Sequence, residues 1–271
     1  MIQTPKINLI HGDCMECLSM AGDNEFDICI VDPPHSHSKK PFGYAMGRNK
    51  KMKVLIGCEE SQAVCAAFRK MGHEAYSNDL IPCSGGHPEW HLQMCVMEAI
   101  VSRRWDFIGL HPLCTKMTLS GNRTYAPGKE RHPERLEAVE WTIKLWQLAC
   151  QNAKMVYMEN PMGAMNGDRR LPKPQIIQPY FFGDEAQKTT CLWLKGLPPL
   201  LHNDRPNLFE SEITHVSKGE MVTFKSGKTM PKWYADTPST KSESNRAIRS
   251  KTFPGIAAAM ANQWGQVHAT L

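Results

Sequence analysis

Residues 52–61, Met52-Lys-Val-Leu-Ile-Gly-Cys-Glu-Glu-Ser61, decide how the chain is read. A short apolar run that stops at a glycine and gives way to polar residues is a buried strand leaving a sheet, with a helix start behind it. Residues 61–70 then read as that helix with Ser61 as its cap, and Glu74 to Ser77 as a strand leading to Asn78-Asp79. The alternation continues with a helix over 93–102 and a strand from Trp105 to Leu110 that ends at His111-Pro112. Residues 134–151 place apolar side chains at Leu136, Val139, Ile143, Leu145, Trp146 and Leu148, the pattern of an amphipathic helix. Met155 to Met158 is the next strand and ends at Glu159-Asn160-Pro161. Strands alternating with helices predict an α/β fold, a mostly parallel sheet with helices on both faces.

The pattern fades on either side. Residues 35–51 are polar, basic and interrupted by Gly and Pro, and read as a linker or loop. Ahead of them, residues 7–10 and 26–31 read as strands and 14–21 as a weak helix, the second strand running into Asp32-Pro33-Pro34. Residues 196–247 hold Pro198-Pro199, Pro206, Pro231, Pro238 and the pair Trp233-Tyr234. They read as loops and short strands, either a small recognition lobe or a disordered insert. Residues 255–264 form an Ala-rich closing helix. The expected division is therefore 1–34, a linker at 35–51, a core at 52–195, a small region at 196–247 and a returning helix within 248–271.

Composition narrows the class. In 271 residues, 41% are hydrophobic and 22% charged, a globular balance and not that of a disordered or fibrous chain. No apolar run approaches the roughly 20 residues of a bilayer span, and the start has no signal-peptide character, so no membrane partner is expected. A formal charge of +5 is compatible with a polyanionic partner without requiring one. Ten cysteines without an export signal read as free thiols in a reducing cytoplasm. Cys14-x-x-Cys17 with His35 and His37 has zinc-ligand residue types, but the spacing is irregular and no metal is assigned.

In a parallel α/β sheet, ligands bind outside the carboxyl ends of the strands. Gly57 lets backbone approach a ligand there, and Asp79 follows 22 residues later, near the offset at which a strand-end carboxylate meets ribose hydroxyls. The acids Glu59 and Glu60 suit a positively charged cofactor better than a pyrophosphate; an ordinary strand-turn-helix stays open. Cys114 lies just past the next strand end, with Lys116 near enough to favour its thiolate, and reads either as a nucleophile or as a quiet thiol. Glu159 stands at the end of the neighbouring strand, so the two side chains converge on one crevice. A Cys and Glu pair without an obvious His suits covalent addition to an electron-poor ring.

These pieces, in this order, resemble the DNA (cytosine-5) methyltransferases. The resemblance spans about residues 52–265 and rests on Ile56-Gly57 with Asp79, on Cys114 with Leu119-Ser120-Gly121 behind it, and on Glu159-Asn160. Tyr180-Phe-Phe-Gly183 with Gln187, and Arg249-Ser-Lys-Thr-Phe-Pro-Gly-Ile-Ala-Ala-Ala-Met-Ala261, add to it. Departures are plain: Leu113 and Thr115 flank Cys114 where the family has Pro and Gln. Pro161 replaces a valine, and Gln187-Lys-Thr-Thr-Cys191 lacks two arginines. The resemblance implies a Rossmann-like fold and S-adenosylmethionine as cofactor, held by Ile56, Gly57, Cys58, Glu59, Asp79 and Pro112. It implies Cys114 and Glu159 as catalytic residues, and Asn160, Ser120, Gln187, Lys188 and Arg249 facing double-stranded DNA with a flipped cytosine. Lys195, Lys225, Lys228 and Lys232 join Lys188 and Arg249 as candidates for phosphate contacts.

Ile7-Asn-Leu-Ile-His-Gly-Asp13 and Phe26-Asp-Ile-Cys-Ile-Val-Asp-Pro-Pro34 resemble a second group, the opening of amino-methyltransferases acting on adenine N6 or cytosine N4, here cut short. That gives one rival activity, through the Asp-Pro-Pro loop; a catalytically inactive nucleic-acid-binding homologue is another. The expected setting is the cytoplasm of a prokaryotic or phage-infected cell, as a monomer or homodimer.

Overall fold

A computed structural model describes residues 51–204, 213–237 and 250–266. The expectations for residues 1–34, for the linker as far as residue 50, for the Cys14/Cys17/His35/His37 set and for Arg249 lie outside the described residues. The chain divides into two units between Arg48 and Asn49, and the described residues all belong to the second.

Strand β1 (Lys53–Gly57) is the centre of construction. It pairs in parallel with β2 (Glu74–Asp79) on one side and β4 (Phe107–Leu110) on the other, with Gly57 level with Asn78 and Leu110. The short β3 (His91–Gln93) extends the β2 edge in parallel, and β5 (Met155–Pro161) lies parallel to β4 with Met158 opposite Leu110. Beyond β5, β7 (Thr190–Lys195) runs antiparallel, and β6 (Gln175–Ile177) pairs antiparallel to β7. The seven-stranded order is β3-β2-β1-β4-β5-β7-β6. The chain winds outward from β1 to β3, then crosses back to β4, so β1 and β4 flank the switch point where such sheets open a crevice. This is a Rossmann-like α/β fold, a mostly parallel sheet with helices on both faces.

Strand periodicity sorts the side chains between two layers. Val54, Ile56, Phe107, Met155, Tyr157 and Leu192 point to one face, where α1 (Ala63–Lys70) and α6 (Pro254–Trp264) cover them. Leu55, Ile108, Leu110, Val156, Met158 and Trp193 point to the other, under α2 (Val96–Val101) and α4 (His132–Asn152). Both faces are buried, which is why these strands read as continuous apolar runs and not as alternating ones. Trp264 is fully buried in the first layer, 5.2 Å from the Tyr157 ring, with its indole N–H donated to the Pro198 carbonyl at 2.9 Å.

Helix α4 departs from its expected stripe. Leu136 is 53% exposed, and the buried residue of that turn is Arg135. A short helix α3 (Asn122–Tyr125), not expected from the sequence, precedes it. In the small region the described residues form a hairpin, β8 (Met221–Thr223) with β9 (Thr229–Pro231), followed by α5 (Lys232–Asp236). Among the described residues no helix is long and apolar enough to cross a membrane.

Candidate active site

The loop after β1 is bent sharply. Cys58 and Gln62 both adopt left-handed backbone, φ 60° and 59°, conformations that cost a non-glycine residue on the order of 1 kcal/mol or more. They persist because the loop is tied down. The Glu59 N–H donates to Asn78 O at 2.8 Å, and the buried Gln62 amide bonds Ser77 Oγ and the His87 backbone N–H and carbonyl. The space a side chain on Gly57 would fill belongs to α2: a Cβ there would lie 2.7 Å from Val96 Cγ2. The missing side chain at Gly57 therefore also makes room for α2. Ile56 is wholly buried in the core, so only its backbone reaches the strand end.

Glu59 turns inward. Its Oε1 accepts the Val64 N–H at 2.6 Å and its Oε2 the Cys65 N–H at 3.2 Å, so this carboxylate caps α1 in place of Ser61. Burial pushes its carboxyl up to about 7, although the nearby His111 and the two N–H bonds pull the other way. A glutamate in the unfolded chain ionises near 4.3. Between these values the folded protein binds more protons than the unfolded one, so stability falls as pH rises through the window. A loss of about 3 kcal/mol is expected between pH 4 and pH 8. Urea unfolding across that range should show it in the wild type, and E59Q should remove most of the slope; an unchanged slope contradicts the assignment.

Asp79 closes β2 with Oδ1 accepting the Leu80 N–H at 2.7 Å. Leu80 and Ile81, beside it, are 70% and 56% exposed, an apolar step next to a carboxylate at the sheet's open end. Cys58 is a poor nucleophile: burial first, then the Asp79 and Cys95 charges, push its thiol up to about 12.

The ends of β4 and β5 form the second half of the site. Asn160 Nδ2 donates to the carbonyl of the buried Pro112 at 3.0 Å, which fixes the start of the Cys114 loop to the end of β5. The Cys114 carbonyl accepts the Met117 and Thr118 N–H groups, turning the loop back on itself. Thr118 bridges to Gly163, and a Cβ on Gly163 would lie 2.0 Å from the Met117 carbonyl oxygen, so the two loops meet at backbone contact. Arg135 holds the same loop from α4. Its guanidinium donates to Lys116 O at 2.7 Å, to Thr118 O at 3.2 Å and to Asn122 Oδ1 at 2.7 Å.

Glu159 is buried, with Oε2 3.3 Å from His111 Nδ1 and Oε1 without a hydrogen-bond partner. Asn160 Oδ1 is a second unpartnered, buried acceptor beside it. Burial works against ionisation of Glu159, but the His111 hydrogen bond and the Lys188 charge outweigh it and hold its carboxyl below the usual range. Burial pushes the Cys114 thiol up, and the Glu159 charge adds to this, while Lys188 opposes both. The thiol, the carboxylate and the Lys188 ammonium thus act on one another. Lys116 does not supply that charge, because its ammonium pairs with Glu134 at 2.9 Å.

No protein-family model matches the chain, and no curated protein matches it. Solved structures similar to it include two of WbdD. The 2.2 Å crystal structure of WbdD matches at 13% identity with a TM-score of 0.35, covering 60% of this chain and 41% of that one. A medium-resolution structure of the bifunctional kinase-methyltransferase WbdD matches at 13% with a TM-score of 0.33, covering 60% and 40%. The chain matches about two fifths of the length of these proteins.

The remaining candidates fall into place around this centre. Lys188 is set by Gln178, whose Oε1 accepts its backbone N–H at 3.0 Å, and its ammonium lies 6.0 Å from the Phe253 ring. Gln187 turns toward the small region, with Nε2 on Met221 Sδ at 3.1 Å and its carbonyl accepting the Trp233 indole N–H. Ser120 is exposed and bonded to Thr118 Oγ1 at 3.0 Å. Lys195 is taken up by α4, donating to the Cys150 and Ala153 carbonyls at the helix end. Lys232 pairs with Glu220, whereas Lys225 and Lys228 stand exposed in the β8–β9 hairpin. Three residues of the site do not stand out in the sequence: His111, Tyr157 and Arg135. Among the described residues no cluster of three or more His, Cys, Asp or Glu is placed to hold a metal.

Proposed function

We propose that the chain is an S-adenosylmethionine-dependent methyltransferase acting on C5 of cytosine in double-stranded DNA. The target base would have to leave the duplex to reach a crevice at strand ends. S-adenosylmethionine, when bound, supplies a methyl group on a sulfonium; Asp79 would hold its ribose hydroxyls and the exposed Leu80 and Ile81 would lie under its base. The donor set suits a cofactor with hydroxyls and a flat apolar ring.

The chain's own residues carry the activation of the ring. As the Cys114 sulfur bonds to C6, the thiol's proton passes to the ionised Glu159 and from there to N3, which grows more basic, and the displaced ring electrons make C5 nucleophilic. After C5 has been methylated, its proton passes to water, the electrons of that C–H bond form the C5–C6 double bond and expel the sulfur as thiolate, and N3 returns its proton to Glu159, which restores the aromatic ring. The two groups are coupled. Glu159 as a bare anion raises the thiol, so sharing a proton with the base lowers the cost of the thiolate just when it must attack.

The observation that carries this reading is the unpartnered Glu159 Oε1, a buried acceptor next to a thiol that feels its charge. DNA containing 5-fluorocytosine tests it, because fluorine at C5 cannot leave as a proton and the covalent complex persists. The expected result is an adduct dependent on S-adenosylmethionine that peptide mapping assigns to Cys114. Methylation of adenine N6 or cytosine N4 without an adduct would move the activity to the amino-methyltransferase class. DNA binding with no product would make the chain an inactive homologue.

A further inference from the structure

We propose that His111, oriented by Tyr157, is the positioning residue of Glu159: it occupies one carboxylate oxygen and leaves the other for the substrate base. The inference rests on the cytosine reading only for the identity of that base. Its geometry is independent of it. His111 Nδ1 lies 3.3 Å from Glu159 Oε2 and Nε2 lies 2.7 Å from the Tyr157 hydroxyl, so both ring nitrogens are engaged. The His111 backbone N–H donates to Gly57 O at 3.0 Å, which anchors the ring where β1 and β4 part.

The bonds have one consistent polarity. An ionised carboxylate only accepts, so Nδ1 must carry the proton that faces Oε2. In a neutral imidazole Nε2 then accepts, and the Tyr157 hydroxyl is the donor; burial, with the Glu59 and Glu159 charges, keeps that phenol protonated. The groups acting here come from three directions: Tyr157 and Glu159 on β5, Glu59 from the loop after β1, and Lys188 and Cys114 through Glu159. Gly109 makes the arrangement possible. A Cβ there would lie 2.3 Å from the Tyr157 ring, so only glycine lets the phenol lie across β4 and reach His111. The resemblance to cytosine-5 methyltransferases assigns no role to a histidine, and this one meets the carboxylate through strand register alone.

The test is a carbon-13 titration of the Glu159 carboxyl in the substrate-free protein, assigned by its loss in E159Q. In the wild type the midpoint is expected below the ordinary glutamate value. H111F keeps an aromatic ring and removes the donor, and should raise the midpoint by about one pH unit or more. H111N returns an amide N–H and should recover most of that shift. If H111F fails to fold, Y157F serves, since freeing the tautomer removes part of the same bond and raises the midpoint by less. A midpoint unchanged in H111F, or in Y157F, overturns the proposal. The same titration distinguishes the two readings, because it needs no substrate. A wild type that forms no 5-fluorocytosine adduct removes the catalytic assignment of Glu159, whereas an unmoved midpoint removes His111. Where the adduct forms, the acid limb of its pH–rate profile should move upward with the midpoint in H111F.

Discussion

C114S is expected to form no covalent complex with 5-fluorocytosine DNA, and its methyl transfer to fall by at least about a thousandfold. The substitution changes one atom. A hydroxyl gives up its proton far less readily than a thiol and is the weaker nucleophile, and the Glu159 carboxylate beside it is held below the usual range and so is a weak base. The structural cost is small, because Cys114 is only partly buried and the loop is held through its backbone carbonyl and not its sulfur. Binding of S-adenosylmethionine, read by calorimetry, should therefore stay within about threefold of the wild type. Methyl transfer at an undiminished rate in C114S would exclude covalent attack by this thiol.

E159Q is expected to separate two properties that usually move together. Methyl transfer falls by about a hundred- to a thousandfold, mainly in kcat, because an amide cannot hold the proton that N3 needs as the sulfur adds. At the same time the Cys114 thiol becomes more reactive. The Glu159 charge is one of the influences raising it, and the Lys188 ammonium that opposes this remains. Alkylation by iodoacetamide at neutral pH should be faster in E159Q than in the wild type. A slower rate, or equal rates, would mean that the carboxylate and the sulfur do not share a pocket. Slower catalysis with a more reactive nucleophile is a combination that simple unfolding would not give.

The strands that build the centre of the sheet are legible because each is buried on both faces and ends in polar residues. β1, β2, β4 and β5 all appear in the sequence as short apolar or mixed runs with Gly57, Asp79, His111 and Glu159 at or just past their ends. β3, β6 and β7 leave no such mark. Two of them are three residues long, and β7 is an antiparallel insertion whose partner, β5, lies well before it in sequence. Periodicity within a window cannot report such a pairing.

The site divides in the same way. Cys114, Glu159 and Asp79 stand out in the sequence because each lies at or beyond the end of a legible strand. The role of Glu59 is local, a few residues before the backbone N–H groups of Val64 and Cys65 that it caps, but a pair of acids after a strand points to the cofactor instead. Arg135 is hidden by its residue type. An arginine in the first turns of a helix reads as solvated surface, whereas here three hydrogen bonds to the Cys114 loop and its neighbour Asn122 draw it inside and leave Leu136 to solvent. The part expected of Lys116 falls to Lys188 for a similar reason: the nearer in sequence is drawn off by Glu134, and the farther is the one whose charge is felt.

The backbone seam between the Cys114 loop and the end of β5 has a kinetic meaning. A segment fastened by Arg135 on one flank and pressed against Gly163 on the other has already surrendered its conformational entropy during folding. Encounter with a ligand then asks little rearrangement of this half of the cleft, and under the proposed function the slow motion in each turnover would belong to the incoming base.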